Sequence, residues 1–419
     1  METEPSGFGE RLRRRRLAAG LTQEELAARA GLTAKGVAAL ESGRRRRPYP
    51  QTVRALATAL GLDDTERAAL VGAPQPATPP PLADPGVPVL PAPPTSTIGR
   101  DAEVEEVLAL LGQDDRRLVT LTGPGGVGKT RLALVVARQA ADLFPDGVVF
   151  VPLAALTDPG LVVPTVMAHL NLAERMDHRL IDDLAAYLRG RHLLLVLDNL
   201  EHLLPAAADI STLLTTTPEL TILATSRAPL RLQGEREVPV APLTLPRLVH
   251  LPTREEVAAA EAVQLFVDRA RDAAPTFALS QENAAAVAAI ARRLDGLPLA
   301  LELAAARLRI LSPTELLARL DQSLPVLTGG ARDLPDRQRT IRQAIEWSYR
   351  LLAPEEQALF RRLSVFAGGW DAAAAEAVGG QDAATLGVLS ALVEHSLVIA
   401  EASGDGSTRY RMLETIRQF

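Results

Sequence analysis

The 419-residue chain contains no cysteine, and only two of its 45 basic residues are lysines. Without cysteine, disulfide scaffolds, thiol catalysis and cysteine-ligated zinc or iron–sulfur centres are excluded. The six histidines are scattered along the chain, so no histidine metal site is visible. No window of about 18 apolar residues occurs, and the basic stretch near the start is not followed by an apolar one. We therefore expect a cytoplasmic protein with no membrane partner.

Composition and charge indicate several globular domains, one of them basic. Hydrophobic residues make up 47% of the chain, which is enough to bury sizeable cores. At roughly 100–200 residues per domain, the length predicts about two to four domains. The first 60 residues hold twelve basic and six acidic side chains, a net charge of +6, which leaves −12 for the rest. A basic end on an acidic body indicates a polyanion partner for that end.

Residues 73–95 form a proline-rich segment, in which ten of 23 residues are proline. Such a run lacks the backbone donors for helix or sheet and favours extended polyproline II, at about 3.1 Å per residue or roughly 70 Å in all. We interpret the segment as a linker between two patterned regions. A ligand for an SH3-type domain is the alternative.

The segment before the linker has the pattern of a helix-turn-helix. Thr22 stands where a helix would begin, and Glu25 follows three residues later in a capping-box arrangement. Gly31 ends this helix and Thr33 can cap the next, so two short helices are joined by a tight turn. Through TQEELA, AG and GVAALESG, the segment closely resembles the lambda-repressor-like (XRE, Cro/C1-type) DNA-binding domain. We predict this domain over residues 1–72.

This resemblance implies which residues face double-stranded DNA. Lys35 is the main candidate for reading a guanine edge in the major groove, because two of its neighbours are alanines. Arg13 to Arg16 and Arg44 to Arg47 are expected to contact phosphates and make the affinity salt-dependent. The alternative is a protein-interaction domain with solvated arginines. The predicted DNA-binding residues are Gln23, Thr33, Ala34, Lys35, Ala38, Arg44 and Arg45.

Beyond the linker, short apolar strands alternate with helical patterns. The strands are RRLVTLTG, GVVFVPL, HLLLVLDN and LTILATSR, and a helix is predicted over Lys129–Ala141. Strands of this kind, separated by helices, favour a parallel sheet that is covered on both faces.

A phosphate-binding signature follows the first strand. Residues 123–130 read GPGGVGKT, which matches G-x-x-x-x-G-K-[ST] between a strand and a helix. The glycines let backbone N–H groups turn towards the β-phosphate, and the helix N-terminus adds its positive end. Lys129 can bind the β- and γ-phosphates, and the Thr130 hydroxyl can coordinate Mg²⁺. The nucleotide-binding residues predicted here are Gly123, Pro124, Gly125, Gly126, Val127, Gly128, Lys129, Thr130 and Arg131.

Two further strands end in charged residues. Asp198 ends HLLLVLD and can hold Mg²⁺, which is the Walker B role. Arg227 follows LTILATS and would sense a γ-phosphate, although a surface arginine at a strand end is the alternative. Ligands bind at the carboxyl ends of parallel strands, so Lys129, Asp198 and Arg227 converge there if these strands are neighbours. We predict these three as catalytic residues, with Thr130 and Asp198 as metal ligands, in a P-loop domain over residues 96–245.

After residue 245 the strands stop. Amphipathic helices predict a helical domain over residues 246–330. Further helices, followed by HSLVIAEA and TRYRML around the turn SGDGS, predict a winged-helix-like domain over residues 331–419. The helices and core tryptophans expected in this last domain are Thr340–Leu352, Pro354–Leu363, Trp347 and Trp370. The fold class is thus multidomain, with an all-α helix-turn-helix domain, an α/β P-loop domain with a parallel sheet, an α-helical domain and a winged-helix domain.

The motifs of residues 96–419, taken in order, resemble the NB-ARC core of STAND signalling ATPases. This resemblance implies that Ile98, Gly99 and Arg100 lie near the adenosine of ATP or ADP and that Pro298, in GLPLAL, packs on the adenine. It also implies a switch that is closed with ADP, and that opens and self-associates with ATP once an inducer binds a sensor domain. Such relatives usually continue into helical repeats that sense the inducer.

The sequence departs from the NB-ARC pattern at two positions. The second acid expected after the Walker B residue is Asn199, and an amide cannot accept a proton, so we expect slow ATP hydrolysis unless Glu201 substitutes. The Met-His-Asp motif aligns best with Met412–Glu414, where Leu413 cannot make the phosphate contact of the family's histidine.

Three functions are compatible with these patterns. We favour a transcriptional regulator in which the ATPase core is a nucleotide-gated switch for a sequence-specific DNA-binding domain. One alternative is a defence or signalling scaffold that uses the helix-turn-helix as an adaptor or binds nucleic acid without sequence preference. The other is an AAA-type motor.

Overall fold

The structure is a computed structural model, and the chain forms two compact units, Met1–Asp84 and Pro85–Phe419. None of the described helices is both long and apolar enough to cross a bilayer. The residues that the structure describes are 8–30, 34–41, 52, 56, 59–60, 90–113, 115–172, 179–246, 253–322, 340–380, 383–402 and 406–419.

The first unit contains the helices of the expected helix-turn-helix, whose turn at residues 31–33 lies outside the described residues. Helices α1 (Phe8–Ala18), α2 (Gln23–Arg29) and α3 (Ala34–Glu41) pack around one apolar core. The capping box is formed: the Glu25 N–H donates to Thr22 Oγ1 at 3.2 Å, and the Thr22 N–H donates to Glu25 Oε2 at 2.7 Å. The fully or nearly fully buried core residues of this unit include Leu12, Leu26, Val37, Leu40 and Leu56.

The second unit is built on a parallel five-stranded sheet of order β2-β3-β4-β1-β5. Its strands are β1 (Leu118–Thr122), β2 (Val148–Pro152), β3 (Leu194–Asp198), β4 (Thr221–Thr225) and β5 (Glu235–Pro239). The helices connected to it are α4 (Asp101–Leu111), α5 (Lys129–Gln139), α6 (Val162–His169), α7 (Leu180–Leu188) and α8 (Ala207–Thr216). Short 3-10 turns occur at Ala141–Leu143, Pro159–Leu161, Leu200–His202 and Leu204–Ala206. Separate apolar cores lie on the two faces, which confirms the predicted covered parallel sheet.

Strand β5 is the one strand of this sheet that the apolar patterns do not predict. It reads EREVP, and only Val238 is buried. An edge position beside β1 permits this composition and tolerates the terminal Pro239, although β2 at the other edge is apolar.

Helices follow the sheet, and a hairpin completes the C-terminal domain. The helical region contains α9 (Arg254–Ala258), α10 (Glu261–Ala273), α11 (Gln281–Arg293), α12 (Pro298–Ala305), a 3-10 turn (Ala306–Arg309) and α13 (Pro313–Gln322). The winged-helix region contains α14 (Ile341–Arg350), α15 (Pro354–Leu363), α16 (Ala372–Gly379), α17 (Ala383–Glu394), the antiparallel strands β6 (Ile399–Ala402) and β7 (Thr408–Arg411), and α18 (Glu414–Arg417).

The two tryptophans of the winged-helix region differ in their surroundings. Trp370 is buried in that region and stacks on Phe366 with a centroid distance of 5.4 Å. Trp347 lies edge-on against His202 of the sheet region at 5.5 Å. The prediction that Trp347 belongs to the winged-helix core is therefore wrong, because its ring faces the neighbouring domain.

Candidate nucleotide site and N-terminal DNA-binding unit

The carboxyl ends of three adjacent strands bring the predicted catalytic residues to one edge of the sheet. Strand β4 pairs with both β1 and β3, so the loop after β1, Asp198 at the end of β3 and Arg227 just past β4 are neighbours. Thr130 Oγ1 donates to Asp198 Oδ1 at 2.7 Å, and Thr225 Oγ1 donates to the same oxygen at 2.6 Å. The convergence expected from the strand order is present.

The loop of residues 123–130 is shaped by glycines that no other residue could replace without strain. Gly123 has a φ of 141°, and a Cβ there would lie 2.7 Å from the carbonyl oxygen of Val240. Gly126 has a φ of 83°, and its Cβ would lie 3.0 Å from the Leu299 side chain. The loop therefore fits between the sheet and the start of α12.

Lys129 begins α5 and is buried. Its Nζ donates to the carbonyl oxygens of Gly123 at 2.6 Å and Pro124 at 3.1 Å. Burial lowers the pKa of Lys129 from 10.5 to about 8, against the opposing effect of the Glu201 carboxylate. Phosphate oxygens beside Nζ would stabilise its charged form and raise the pKa again.

Arg227 is buried and joins the sheet to the winged-helix region. Its Nε donates to Glu201 Oε1 at 3.2 Å, and its Nη1 donates to the carbonyl of Ala344 on α14 at 3.3 Å. Its own carbonyl accepts a hydrogen bond from Ser396 Oγ at 2.7 Å. Because the side chain is only 6% exposed, the alternative interpretation as a surface arginine is wrong.

Asn199 and Glu201 lie together beyond the Walker B strand. The Asn199 N–H donates to Thr225 Oγ1 at 2.9 Å, and its side-chain amide donates to Glu201 Oε1 at 3.3 Å. Glu201 is therefore held between the Asn199 amide and the Arg227 guanidinium.

A cavity of about 330 Å³ follows the loop from this edge towards α12. Asn199, Glu201 and Arg227 line it at the strand-end side, and Pro93, Pro94 and Glu302 contribute to its lining as well. Gly123 and Pro124 are absent from the lining and instead contact Lys129 through their carbonyls. The predicted nucleotide-binding residues that line the cavity are Ile98, Arg100, Gly125, Gly126, Val127, Gly128, Lys129, Thr130, Arg131 and Pro298.

The segment before α4 braces the phosphate-binding loop. Arg100 Nη2 donates to the carbonyls of Val127 at 3.0 Å and Ala241 at 2.8 Å. Gly99 has a φ of 66° and lies so close to Glu261 that a Cβ would be 2.6 Å from that side chain. Gly99 thus allows the close packing of the chain against Glu261, and Arg100 ties the phosphate-binding loop to Ala241, just after β5.

Residues Leu90–Ser96 of the second unit, here called the strap, are held against α5 and α10 by arginines. Arg131 Nη1 donates to the carbonyls of Thr95 at 3.0 Å and Ser96 at 3.1 Å. Arg269 Nη2 donates to the same Ser96 carbonyl at 2.9 Å. The end of the proline-rich segment is therefore part of the cavity wall.

Glu302 is a cavity residue that the sequence analysis did not identify. Its Oε1 lies 3.1 Å from Arg269 Nε and 3.7 Å from Arg131 Nη2. Its position one helical turn after Pro298 in GLPLALE was a usable signal, because residues four apart share a helix face. Arg269 carried no comparable signal.

The donors at the sheet edge suit Mg²⁺. A hydroxyl and a carboxylate oxygen, Thr130 Oγ1 and Asp198 Oδ1, already touch each other, and Mg²⁺ typically takes one or two protein oxygens together with substrate phosphates and water. No cluster of three or more acidic or histidine side chains with metal-binding geometry occurs among the described residues.

The segment aligned with the family's Met-His-Asp motif is packed away from the cavity. Leu413 is 1% exposed and does not line it. Asp295, whose pKa is raised by burial, accepts hydrogen bonds from the Thr415 N–H at 3.0 Å and the Thr415 hydroxyl at 3.1 Å. This segment therefore contacts the turn before α12.

In the N-terminal unit, two predicted DNA contacts are engaged within the fold. Arg16 is buried, and its guanidinium donates to both carboxylate oxygens of Glu41, at 2.7 and 3.1 Å. Gln23 Nε2 donates to Glu41 Oε2 at 2.7 Å. The prediction that Arg16 contacts phosphate is therefore corrected: Arg16 ties α1 to α3.

The other predicted DNA contacts divide between α3 and segments that the structure does not describe. Ala34, Lys35 and Ala38 lie on α3. Thr33, Arg44 and Arg45 lie outside the described residues. Arg13 and Arg14 are exposed on α1.

Three family models match the chain. They are a helix-turn-helix domain over residues 8–70, an AAA domain over residues 113–238 and a winged helix-turn-helix domain over residues 352–419. The matches agree with the helix-turn-helix unit, the parallel sheet and the C-terminal hairpin of the structure.

Several curated proteins are similar over most of the chain. Rv0890c of Mycobacterium tuberculosis, whose name describes an HTH-type transcriptional regulator, is 46% identical over 316 residues, covering 74% of this chain and 34% of that protein. Rv0894 of the same species is 42% identical over 331 residues, covering 78% of this chain and 80% of that protein. The regulatory protein AfsR of Streptomyces griseus is 32% identical over 356 residues, covering 79% and 32%. The chain thus spans about a third of the length of Rv0890c and AfsR.

Among solved structures, the Walker-type ATPase paby2304 of Pyrococcus abyssi is similar with a TM-score of 0.50. The sequences are 14% identical, and the match covers 77% of this chain and 95% of that one. This similarity concerns the fold.

Proposed function

We propose, on the premise that the chain belongs to the same family as Rv0894 of Mycobacterium tuberculosis, that it is a DNA-binding transcriptional regulator with a nucleotide-gated switch. The N-terminal unit is an XRE-type domain that binds an operator, and the P-loop core is of the STAND type with NB-ARC features. The ligands are ATP or ADP with Mg²⁺, and the protein acts in the cytoplasm. The helix-turn-helix model over residues 8–70 and the regulator names of two relatives support this proposal.

One observation carries the nucleotide part of the proposal. Thr130 and Asp198, which come from separate motifs, are hydrogen-bonded at the sheet edge beside the buried Lys129. A buried lysine without a bound anion is costly, whereas phosphate oxygens would satisfy both its charge and the surrounding backbone donors. When bound, Mg²⁺ would supply charge neutralisation for the β- and γ-phosphates. Thr130 and Asp198 would hold it.

Arg227 provides the gate. Its guanidinium links Glu201 of the sheet region to the Ala344 carbonyl of the winged-helix region. A γ-phosphate near Lys129 would attract this cation and weaken its bond to α14, whereas ADP has no such group. The two nucleotides therefore stabilise different arrangements, and a switch requires this difference in affinity. In the ATP arrangement, we propose that copies of the chain self-associate after an inducer acts.

Hydrolysis is slow and resets the switch. Asn199 cannot accept a proton from water, and Glu201 is engaged by Asn199 and Arg227. A general base must reach the attacking water with a suitable acceptor, so Glu201 can serve only if Arg227 leaves it.

The strap connects the nucleotide site to the N-terminal unit along the chain. In addition to the Arg131 and Arg269 bonds, Arg138 Nη2 donates to the Leu90 carbonyl at 2.9 Å. The strap lines the cavity, so an occupied site would stabilise this end of the linker that leads to the DNA-binding unit.

The retained nucleotide tests the site. The purified chain is denatured, and its supernatant is analysed by chromatography. We expect about one equivalent of ADP from the wild type and from Arg254→Ala, a control at an exposed arginine whose side chain is 55% exposed. We expect none from Lys129→Ala. An empty wild-type site that also fails to bind added ADP or ATP would overturn the proposal.

A second function, a scaffold that binds nucleic acid without sequence preference, has one observation in its favour. Gln23 is held by Glu41, and two of the α3 residues predicted to face the groove are Ala34 and Ala38, which offer no hydrogen bonds to bases. Selection from random duplex DNA at fixed salt separates the functions. Enrichment of one sequence supports the regulator, and binding without enrichment supports the scaffold. Fast ATP turnover stimulated by DNA would instead indicate a motor.

A further inference from the structure

The residues that line the cavity form two groups of different chemistry on different elements, and these groups are here called its two ends. One end holds Lys129, Thr130 and Arg227, where phosphates would bind. The other end is lined by apolar and paired charged residues, which suit a nucleoside better than a polyphosphate. The second end includes Pro93, Pro94, Leu265, Arg269, Pro298 and Glu302.

Glu302 is placed to accept a hydrogen bond within this second end. Both arginine contacts, from Arg269 and Arg131, go to its Oε1. Among the residues that the structure describes, none donates a hydrogen bond to its Oε2. The side chain is 30% exposed, so Oε2 is accessible to a ligand in the cavity.

The Glu302 carboxylate would repel the phosphates of a nucleotide, so its presence in this cavity calls for an explanation. The two arginines offset its charge and fix its orientation. The Arg269 side chain is only 9% exposed, whereas that of Arg131 is 29% exposed. A carboxylate oxygen is an acceptor only, so its ligand partner must be a donor. The hydroxyls of a ribose are such donors.

The contact of Glu302 with Arg131 favours the ribose, rather than the base, as the group that Glu302 would bind. Arg131, which reaches Glu302, directly follows Thr130, the residue expected to hold the metal at the phosphates. Glu302 is therefore linked through Arg131 to the first turn of α5, which is expected to hold the phosphates, and the ribose is the part of the nucleoside that adjoins the phosphates. Pro298 lies one turn before Glu302 on α12.

We propose that Glu302 is a specificity-determining residue that selects ribonucleotides over deoxyribonucleotides by accepting a hydrogen bond from a ribose hydroxyl through Oε2. This inference rests on the proposed nucleotide site. Arg131 and Arg269 are positioning residues that hold the carboxylate through Oε1. A hydrogen bond to a charged group is stronger than one between neutral groups. A site built to bond a ribose hydroxyl therefore binds an analogue without that hydroxyl more weakly. Because Glu302 is partly exposed, we expect about a tenfold preference for ATP.

The test compares label-free calorimetric affinities of the full chain for ATP, 2′-deoxyATP and 3′-deoxyATP. A fluorophore on the ribose is avoided because it would occupy the hydroxyls. We expect at least one deoxy analogue to bind about tenfold more weakly to the wild type. In Glu302→Ala, this ratio falls to about one, and in Glu302→Gln, which keeps a neutral acceptor, to about three.

The ratio distinguishes recognition from a structural role. If Glu302 only supported the fold, its substitution would weaken ATP and both analogues alike and leave the ratio unchanged. Glu105→Gln, on the exposed face of α4, is the matched control and keeps the wild-type ratio. Equal wild-type affinity for all three nucleotides overturns this inference but leaves the nucleotide site intact. Absence of any binding overturns the proposed function itself.

Discussion

The two helix-turn-helix domains of this chain share a type of fold but differ in charge and surroundings. The N-terminal unit lies in a segment of net charge +6 and carries exposed arginines on α1. In the winged-helix domain, α17 has the sequence AATLGVLSALVE, without a single basic residue. A helix that enters a DNA groove usually carries cationic side chains, whereas the polar side chains of α17 are only Thr385, Ser390 and the acidic Glu394. We therefore expect α17 to be poorly suited to that task.

The winged-helix domain instead contacts the ATPase domain. Glu394 at the end of α17 pairs with Arg231, and Ser396 just beyond it bonds to the Arg227 carbonyl. Trp347 of α14 adds the ring contact with His202. The comparison teaches that one type of fold can carry exposed cations in one place and hold a neighbouring domain in another, depending on which residues occupy its surface.

The largest expected effect comes from emptying the nucleotide site, next to which the winged-helix domain packs through Arg227 and Ala344. Lys129→Ala removes the buried cation and its charge-assisted bonds, so we expect ATP and ADP affinity to fall about 100-fold in calorimetry. DNA affinity without nucleotide should stay unchanged. If Lys129→Ala binds nucleotide as the wild type does, the assignment of this loop is wrong.

Substitutions in the two helix-turn-helix domains should affect DNA binding very differently. We expect Arg13→Ala, Arg14→Ala and Lys35→Ala together to weaken binding of a 30-base-pair duplex roughly 30-fold and to reduce the salt slope by about one per lost phosphate contact. Arg350→Ala with Arg409→Ala, in the winged-helix region, should leave both quantities unchanged. Equal losses from the two sets in fluorescence anisotropy would remove the distinction between the domains.

Arg227→Ala tests whether Arg227, which contacts the winged-helix region, also senses the γ-phosphate. The measurement is the calorimetric affinity for ATP and for ADP. We expect ATP affinity to fall about tenfold and ADP affinity to change less than about twofold, because only ATP offers the group that this guanidinium would bind. Parallel losses for the two nucleotides would show that Arg227 supports the site without sensing its occupant. Ser396→Ala, which removes only the bond to the Arg227 carbonyl, is the control.

The smallest effect is a proton uptake linked to Lys129. Burial lowers its pKa to about 8, so the nucleotide-free chain is half protonated there at pH 8. Phosphates that raise the pKa again require uptake of about half a proton at pH 8 and about a tenth at pH 7, and affinity should decline as the pH rises above 8. Calorimetry in buffers of different ionisation enthalpy measures this uptake. Lys129→Arg, which stays protonated, should show none of it.

The sequence predicts the sheet and the phosphate-binding loop well because their signals are local. Apolar strands β1 to β4 are buried on both faces, and the residues of the phosphate-binding motif are contiguous. Strand β5 is not predicted because Val238 is its only buried residue, so its sequence contains no apolar run. Asp198 is recognisable because it is the last residue of the apolar strand β3, so the strand pattern itself marks the site residue.

Contacts between distant segments could not be predicted in this way. Glu302 and Arg269 reach the cavity only because α12 and α10 pack beside each other, and Arg16 is neutralised by Glu41 from another helix. An arginine in a basic run looks like a phosphate contact until its partner is known. Pairing across the fold, rather than composition, decides the role of such residues.

The central claim is that nucleotide controls DNA binding, and one measurement tests it most directly. The DNA sequence selected from a random duplex pool is titrated with the full chain at fixed salt, once with ADP and once with a non-hydrolysable ATP analogue. We predict affinities that differ at least about tenfold in the wild type, a difference of about 1.4 kcal/mol, and that coincide in Lys129→Ala. Equal wild-type affinities, with both nucleotides shown to be bound, would contradict the account.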